Sequence, residues 1–316
     1  MLYKLLLFPA RIFIRFYCRK IVTSNKNILR CPGPLLIASN HPNSFLDAII
    51  LATLFKNPIY SLARGDAFNG KIIPRILASL NMLPVYRVSE GVENLEHNYS
   101  TFNACKDIFK KDGIVLIFSE GRCINEWHLR PLKKGTARLA FSAWQEDIPL
   151  KVLPLGINYN SFRRFGKIVH LHFGKFITLE QMNSNFQSGK IINDFNEKLQ
   201  QQLQELVYEI EPNNHEKLKK YFFINNSLFK KIILFIPNVI GCIIHFPLYY
   251  LIHYFIKNKA RDHYDSLVVG LLFFAYPIYV WILTISVFFI AQNWNAFFLL
   301  LFIPVTLYCT LHFKKN

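Results

Sequence analysis

The chain has 316 residues, of which 52% are hydrophobic and 18% are charged, and its 37 basic and 20 acidic side chains give a net charge of +17. This hydrophobicity excludes a disordered chain, and six scattered cysteines exclude a scaffold stapled by disulfides. Most of the basic excess lies in residues 1–30 and 215–316, beside apolar stretches. That placement predicts membrane lipids as partners and no nucleic acid, because nucleic acid favours basic grooves that are polar.

The N-terminal segment, residues 1–30, begins with an apolar stretch interrupted by Pro9 and by basic residues. A secretory signal peptide has an uncharged apolar core followed by small residues, and this stretch has neither. The segment is predicted to be a basic amphipathic helix lying in the membrane interface and kinked at Pro9, with a short membrane span as the alternative. At about 100° per residue, four basic side chains share one face of that helix: Lys4, Arg11, Arg15 and Arg19.

The middle of the chain, residues 31–214, alternates short apolar runs with helical patterns. This alternation predicts an α/β domain whose mixed, partly parallel sheet is flanked by helices. One helix is predicted to start near Ser44, where S-F-L-D places Asp47 at the spacing of a capping box. The predicted strands are residues 35–39, 59–63, 82–86, 114–118, 151–158 and 169–173, and the other predicted helices are residues 70–80, 95–111, 135–144 and 193–210.

The C-terminal region, residues 215–316, contains three runs without Lys, Arg, Asp or Glu: residues 232–256, 266–290 and 296–313. A helix needs about 20 apolar residues to cross the hydrocarbon core, so we predict an all-α membrane region with two or three apolar helices. The first run contains two prolines and has basic residues on both sides. This pattern favours a re-entrant hairpin or an interfacial helix over a span.

The basic residues around these runs also predict an orientation. The loop after the first run and the C-terminal tail are basic, whereas residues 291–295 carry no charge. By the positive-inside rule, the basic loop and the tail are cytoplasmic. We therefore expect an integral membrane protein whose middle domain lies on the cytoplasmic face.

Polar residues that suit catalysis follow three of the predicted strands. His41 follows residues 35–39, Arg87 follows residues 82–86, and Glu120 follows residues 114–118. In open α/β sheets, functional sites form outside the carboxyl ends of the strands. We therefore expect these side chains to meet at one edge of the sheet.

His41 and Asp47 can form a catalytic dyad. A carboxylate that binds one imidazole nitrogen fixes the tautomer and leaves the other nitrogen basic. Pro42 and Asn43 break the regular secondary structure before the predicted helix. His41 can therefore lie in a loop while Asp47 lies in the first helical turn. Such a pair can remove a proton from a hydroxyl. The alternative is a core or capping histidine with an unrelated surface aspartate.

Basic residues near the same strand ends are candidates for binding an anion. Arg87 and Arg122 each follow a strand, and Lys133 and Lys134 add a basic rim. A guanidinium group binds phosphate through two parallel hydrogen bonds. Glu120 is interpreted as an ion-pair partner of Arg122 that holds the loop. A solvated basic surface is the alternative for each cation alone.

Four sequence blocks resemble the glycerolipid acyltransferase family, which includes lysophosphatidic acid acyltransferases. They are S-N-H-P-N-S-F-L-D at residues 39–47, M-L-P-V-Y-R at 82–87, I-F-S-E-G-R at 117–122 and V-L-P-L-G-I at 152–157. Their order and spacing match the family over about residues 31–180. Two features depart from its usual pattern: five residues instead of four separate His41 from Asp47, and the third block lacks the usual Pro and Thr.

The resemblance implies acyl transfer from acyl-CoA or acyl carrier protein to a hydroxyl of a lysophospholipid, with 1-acylglycerol 3-phosphate as the expected acceptor. His41 would be the general base and Asp47 its partner. No metal, no cofactor and no covalent acyl-enzyme are implied, and the acyl chain would lie in an apolar tunnel at the membrane. The residues expected to bind the acceptor phosphate are Arg87, Glu120, Gly121 and Arg122, with Lys134 at the rim.

Other functions remain open from the sequence. The acceptor can instead be glycerol 3-phosphate or another lyso-lipid, such as an amino-acid lipid. A non-catalytic lipid-binding membrane protein is a second class. A transporter is disfavoured, because no charged residue lies within the three apolar runs.

Overall fold

The computed structural model describes residues 2–86, 97–182, 190–224, 227–258 and 262–313. Seven strands form one sheet, and helices cover both of its faces. The strands are β1 (Cys18–Thr23), β2 (Leu35–Ser39), β3 (Ile59–Arg64), β4 (Met82–Val85), β5 (Ile114–Phe118), β6 (Lys151–Tyr159) and β7 (Lys167–Phe173). The first seven helices are α1 (Leu2–Tyr17), α2 (Phe45–Leu54), α3 (Ile73–Ser79), α4 (His97–Phe109), α5 (Gly135–Trp144), α6 (Lys190–Leu206) and α7 (His215–Tyr221). Three long helices follow: α8 (Leu228–Ile256), α9 (Tyr264–Ala291) and α10 (Leu299–Phe313).

The strands are arranged in the order β1-β7-β6-β2-β5-β3-β4. Every neighbouring pair is parallel except β6 and β7, which are antiparallel. The sheet is therefore mixed and mostly parallel, as the sequence predicts. Strands β2 to β6 all run the same way, so their carboxyl ends meet at one edge.

The six predicted strands are confirmed, but the sheet has a seventh strand that the sequence analysis missed. β1 lies inside the predicted interface segment 1–30 and pairs with β7. Arg19 in this strand is buried, although the helical pattern assigned it to a basic membrane face. The sheet therefore begins before the domain boundary predicted at residue 31.

The core has two halves, one on each face of the sheet. On one face, α2 and the buried side of α1 pack with the ends of α8 and α9 that lie nearest the sheet. On the other face, α4, α5 and α6 pack against the same strands. The central strands β2 and β5 read as unbroken apolar runs because both of their faces are buried.

The amphipathic N-terminal helix is present as α1, and it is continuous through Pro9. Its Arg11 guanidinium donates to the carbonyls of Thr53 and Phe55, at 3.0 Å and 3.3 Å, at the carboxyl end of α2. This basic side chain therefore stabilises the end of a neighbouring helix instead of facing lipid. The exposed apolar face of α1 consists of Leu5, Phe8 and Ile12.

The C-terminal region forms three helices that are long and apolar enough to cross a membrane, α8, α9 and the segment Trp294–Phe313 that includes α10. α8 is one uninterrupted helix through Pro237 and Pro247, so the predicted re-entrant hairpin is wrong. The Tyr279 hydroxyl donates to the Ile244 carbonyl at 2.7 Å, in the turn before Pro247. Proline leaves backbone carbonyls of the preceding turn without their usual partner. Here a neighbouring helix supplies a hydrogen bond to that turn, so the proline is tolerated inside an apolar helix.

Candidate active site

The candidate site lies at the edge where the parallel strands end. The Asn40 side chain continues the pairing of β2 with β6: Nδ2 donates to the Ile157 carbonyl at 3.0 Å, and Oδ1 accepts from the Ile157 amide at 2.8 Å. This pair of hydrogen bonds fixes the chain just before His41. The His41 ring then stacks on Phe118, the last residue of β5, with ring centroids 3.7 Å apart.

The structure brings His41 and Asp47 together. His41 Nδ1 lies 2.9 Å from Asp47 Oδ2, and the Asp47 side chain is fully buried while that of His41 is 17% exposed. A buried carboxylate beside Nδ1 favours the tautomer whose proton is on Nδ1. The lone pair of Nε2 is then available to a bound substrate.

Two further groups hold the Asp47 carboxylate. The Asn43 amide donates to Oδ2 at 2.9 Å, and the Tyr159 hydroxyl donates to Oδ1 at 2.7 Å. Burial, together with the nearby Asp47 charge, raises the pKa of Tyr159 well above its usual value, so the phenol stays protonated and remains a donor. Both oxygens of Asp47 are therefore paired, which fixes the carboxylate beside His41.

Ser44 makes the turn between the two members of the dyad. Its backbone has φ of +52°, a conformation that costs energy for a residue other than glycine. The Ser44 amide donates to Cys123 Sγ at 2.9 Å, and its hydroxyl lies 2.8 Å from His263 Nδ1. The Ser44 side chain makes no capping hydrogen bond, so the predicted capping box does not form. The five-residue spacing between His41 and Asp47 is accommodated by this held turn.

Glu120 binds the protein backbone and a different arginine from the one predicted. Its carboxylate accepts from the His41 amide at 3.0 Å and from the Arg130 amide at 3.0 Å, and it pairs with the Arg130 guanidinium at 3.0 Å. Arg130 also donates to the carbonyl of Arg122. The expected Glu120–Arg122 ion pair is therefore wrong. Arg130, which the sequence analysis missed, joins the ends of β2 and β5 through this buried carboxylate.

The other described residues that were predicted to bind the acceptor phosphate lie on the loops that follow β5. Arg122 and Lys134 are exposed, and Lys134 immediately precedes α5. Gly121 adopts φ of +67°, a conformation that favours glycine, and it starts the turn that exposes Arg122. Arg87 lies outside the described residues. The phosphate-binding role of these residues stays a prediction.

The first turn of α9 reaches the dyad, and the sequence analysis missed this contact. Asp265 Oδ2 accepts from Asn43 Nδ2 at 2.9 Å, and Ser266 Oγ lies 3.2 Å from both the Asn43 carbonyl and the Leu46 amide. Asp265 directly precedes the apolar run 266–290, and an acidic residue at that position was the available signal.

A large apolar cavity lies between α1 and the three C-terminal helices. Its volume is about 710 Å³. Phe13 and Tyr17 of α1 line it on one side, and Tyr249, Tyr276 and Pro304 line it on the other. The hydroxyl of Tyr17 donates to Asp265 Oδ1 at 3.2 Å, so the wall of the cavity is hydrogen-bonded to the first turn of α9.

No group of three or more His, Cys, Asp or Glu side chains that could hold a metal ion occurs among the described residues. His170 and His172, which share one face of β7, both contact the Tyr208 hydroxyl, at 3.0 Å and 2.9 Å. These two histidines therefore have an ordinary packing partner.

Part of the chain, including this candidate site, matches a known family. Residues 20–158 match the family model described as Acyltransferase, and no curated protein matches the sequence. Among solved structures, the chain is similar to the crystal structure of the 1-acyl-sn-glycerophosphate (LPA) acyltransferase PlsC from Thermotoga maritima. That similarity has 12% identity and a TM-score of 0.41, and it covers 63% of this chain and 77% of that chain. The matched residues contain all four sequence blocks together with His41 and Asp47. Residues 20–158 therefore form an acyltransferase domain, and this domain contains the candidate dyad.

Proposed function

We propose that the protein is a membrane-bound O-acyltransferase of phospholipid biosynthesis. It moves a fatty acyl group from acyl-CoA or acyl carrier protein to the hydroxyl of a lysophospholipid, with 1-acylglycerol 3-phosphate as the preferred acceptor. The observation that carries the proposal is the 2.9 Å contact of His41 Nδ1 with a fully buried Asp47 at the carboxyl edge of the sheet. This arrangement is suited to removing a proton from a hydroxyl.

In the proposed reaction, the acceptor hydroxyl gives its proton to His41 Nε2 as its oxygen attacks the thioester carbonyl carbon. The imidazolium that forms is stabilised by the Asp47 carboxylate on the other nitrogen. The carbon–sulfur bond then breaks, and the imidazolium returns the proton to the departing thiolate. His41 is neutral again at the end of the cycle. The proposal uses no acyl-enzyme, no metal and no cofactor.

The cations around the dyad support an acceptor that carries a phosphate. Arg122, Lys133 and Lys134 are exposed on the loops that follow β5. His263 lies against Ser44, and burial lowers its pKa; the Asp262 carboxylate opposes this shift, and the charges of Arg64 and His41 add to it. An anion bound among these groups would offset their mutual repulsion. We propose that the acceptor phosphate binds here, with Arg87 as a further candidate ligand.

The apolar surroundings support an acceptor and a donor that carry long chains. The cavity of about 710 Å³ is lined almost entirely by apolar side chains, so it suits hydrocarbon better than a polar group. The exposed face of α1 and the three C-terminal helices would hold the enzyme where lyso-lipids reside. Lys257, in the loop that joins α8 to α9, is on the same side as the sheet domain, and we propose that this side is cytoplasmic.

A panel of donors and acceptors tests the proposal. Purified wild-type protein in detergent receives labelled acyl-CoA or acyl carrier protein. Each donor is combined with 1-acylglycerol 3-phosphate, glycerol 3-phosphate, or a lyso-lipid without a terminal phosphate. We expect a diacylated phosphate product, and we expect His41→Ala to give none above background.

The acceptor that is used decides between the alternatives. Turnover of glycerol 3-phosphate alone would replace the preferred acceptor, and turnover of the phosphate-free lyso-lipid alone would reject the phosphate site. If folded wild-type protein binds lysophospholipid but transfers no acyl group with any pair, the non-catalytic lipid-binding interpretation replaces this one.

A further inference from the structure

A buried network links the dyad to the start of α9, outside residues 20–158 that match the family. Asp265 and Lys167 form an ion pair, and their side chains are 1% and 0% exposed. Lys167 Nζ also donates to the Ser161 carbonyl at 2.7 Å. Burial lowers the pKa of the Lys167 ammonium, and the Asp265 charge opposes that shift. A buried ion pair contributes little net stability, so its contacts with the active-site loop are a better guide to its role.

Asn43 connects this ion pair to the catalytic carboxylate. The Asn43 amide donates to Asp47 Oδ2 at 2.9 Å, and the Asn43 side chain donates to Asp265 Oδ2, also at 2.9 Å. Asp265 therefore fixes the side chain of Asn43, and the backbone amide of the same residue holds Asp47. The carboxylate of Asp47 in turn orients the His41 ring.

The two carboxylates have matching sets of partners. Asp47 is bound by a tyrosine, a histidine and the backbone of Asn43. Asp265 is bound by Tyr17, Lys167 and the side chain of Asn43. Each carboxylate thus has three donors, and Asn43 is common to both. This arrangement allows little independent movement of the loop that contains it.

Ser266 holds the same loop at two points. Its hydroxyl donates to the Asn43 carbonyl and accepts from the Leu46 amide, both at 3.2 Å. The first turn of α9 therefore fixes the loop on both sides of the strained Ser44 turn. A strained turn persists only where the surroundings hold it in place.

We propose that Asp265, paired with Lys167, and Ser266 are positioning residues: they fix the Asn43–Leu46 loop and thereby the geometry of the His41–Asp47 dyad. The active site is completed by the membrane-facing C-terminal region rather than by the sheet domain alone. This inference rests on the proposed function, in which that dyad transfers the proton.

The test compares three variants with a matched control on the same helix. Ser266→Ala removes both loop contacts without leaving a buried charge. The double variant Lys167→Met with Asp265→Leu replaces the ion pair by apolar side chains, and the single Asp265→Leu leaves Lys167 unpaired. Val268→Ala is the control, because Val268 is 1% exposed in the same core and its apolar side chain cannot form a hydrogen bond with the loop.

We expect kcat to fall roughly 10- to 100-fold in both Asp265 variants and about 3- to 10-fold in Ser266→Ala, with KM within a factor of two. Val268→Ala lowers the melting temperature but keeps the wild-type kcat at temperatures where it is folded. The double variant recovers melting temperature relative to Asp265→Leu without recovering kcat. A purely structural role predicts instead that kcat returns with the melting temperature, and that result overturns the proposal.

Hydrogen exchange gives a second measurement that does not require turnover. We expect faster amide exchange in residues 43–47 of Ser266→Ala than of Val268→Ala. Exchange and kcat of Ser266→Ala that both equal wild type contradict the proposal, even if the charge variants do not fold. Wild-type protein without acyl transfer instead contradicts the proposed function, and the exchange result then still decides the positioning.

Discussion

The two ends of α9 have opposite surroundings. In its first turn, Asp265 and Ser266 are 1% and 5% exposed and bind the active-site loop, whereas near its far end Phe289 and Ile290 are 71% and 84% exposed. Apolar side chains exposed to this extent are suited to lipid, and polar side chains buried to this extent need specific partners. One helix therefore contacts the candidate site at its beginning, and it is long and apolar enough to cross a membrane over the rest of its length. The apolar C-terminal region is therefore structurally continuous with the candidate site.

The largest expected effect is that of Asp47→Asn, which lies in α2 next to the loop that the first turn of α9 holds. Asparagine presents an amide donor as well as an acceptor, so it no longer fixes the His41 tautomer or stabilises the imidazolium. We expect kcat to fall roughly 10²- to 10⁴-fold. Steady-state rates of variant and wild type measure this change. Glu146→Gln is the control, since Glu146 binds Lys106 and Lys110 at the surface, and its kcat should stay at the wild-type value.

The next effect concerns the exposed apolar face in the second half of α9. Ile282 is 57% exposed near the middle of the helix. Arginine at the centre of a membrane helix costs about 2.5–3.5 kcal/mol, so Ile282→Arg should reduce the fraction of protein retained in membranes after alkaline extraction. Ile282→Ala should be retained like wild type, and both variants should keep kcat in detergent. Full retention of the arginine variant would show that this half of α9 does not lie in lipid.

The sequence predicts the sheet domain well, because its signals are local. Runs such as Ile114–Phe118 are apolar throughout and short, which is typical of buried strands. β1 escaped this reasoning, since Cys18, Arg19 and Lys20 read as the continuation of a basic helix. Its one strand partner among the described residues, β7, is distant along the chain, so pairing and not local pattern determines its conformation.

The candidate site residues also divide into those that local sequence signals predict and those that depend on long-range contacts. The spacing of His41 and Asp47 indicates their contact, because both lie within one strand–loop–helix unit. Asp265 is remote along the chain, and its position beside an apolar run looked like the edge of a membrane segment. Arg130 likewise meets Glu120 only after the loop following β5 folds back. Local spacing cannot reveal these long-range partners.

The smallest effect expected is a pH dependence confined to the sheet domain. Burial, with smaller contributions from His172 and Lys20, lowers the pKa of His170 from 6.5 to about 4. The unfolded chain therefore binds more protons between these values, so stability that is complete above pH 6.5 is lost as the pH falls towards 4. The double variant His170→Gln with His172→Gln should lose less melting temperature between pH 7 and pH 4.5 than wild type. Equal losses would contradict this account of the two histidines.

The decisive measurement is the rate of acyl transfer by His41→Ala beside wild type, at saturating donor and acceptor. It tests the claim that His41 removes the proton from the acceptor hydroxyl while Asp47 binds its other ring nitrogen. We predict that kcat falls at least 10²-fold while the melting temperature and the binding of lysophospholipid are retained. A folded His41→Ala protein with wild-type kcat would contradict the claim.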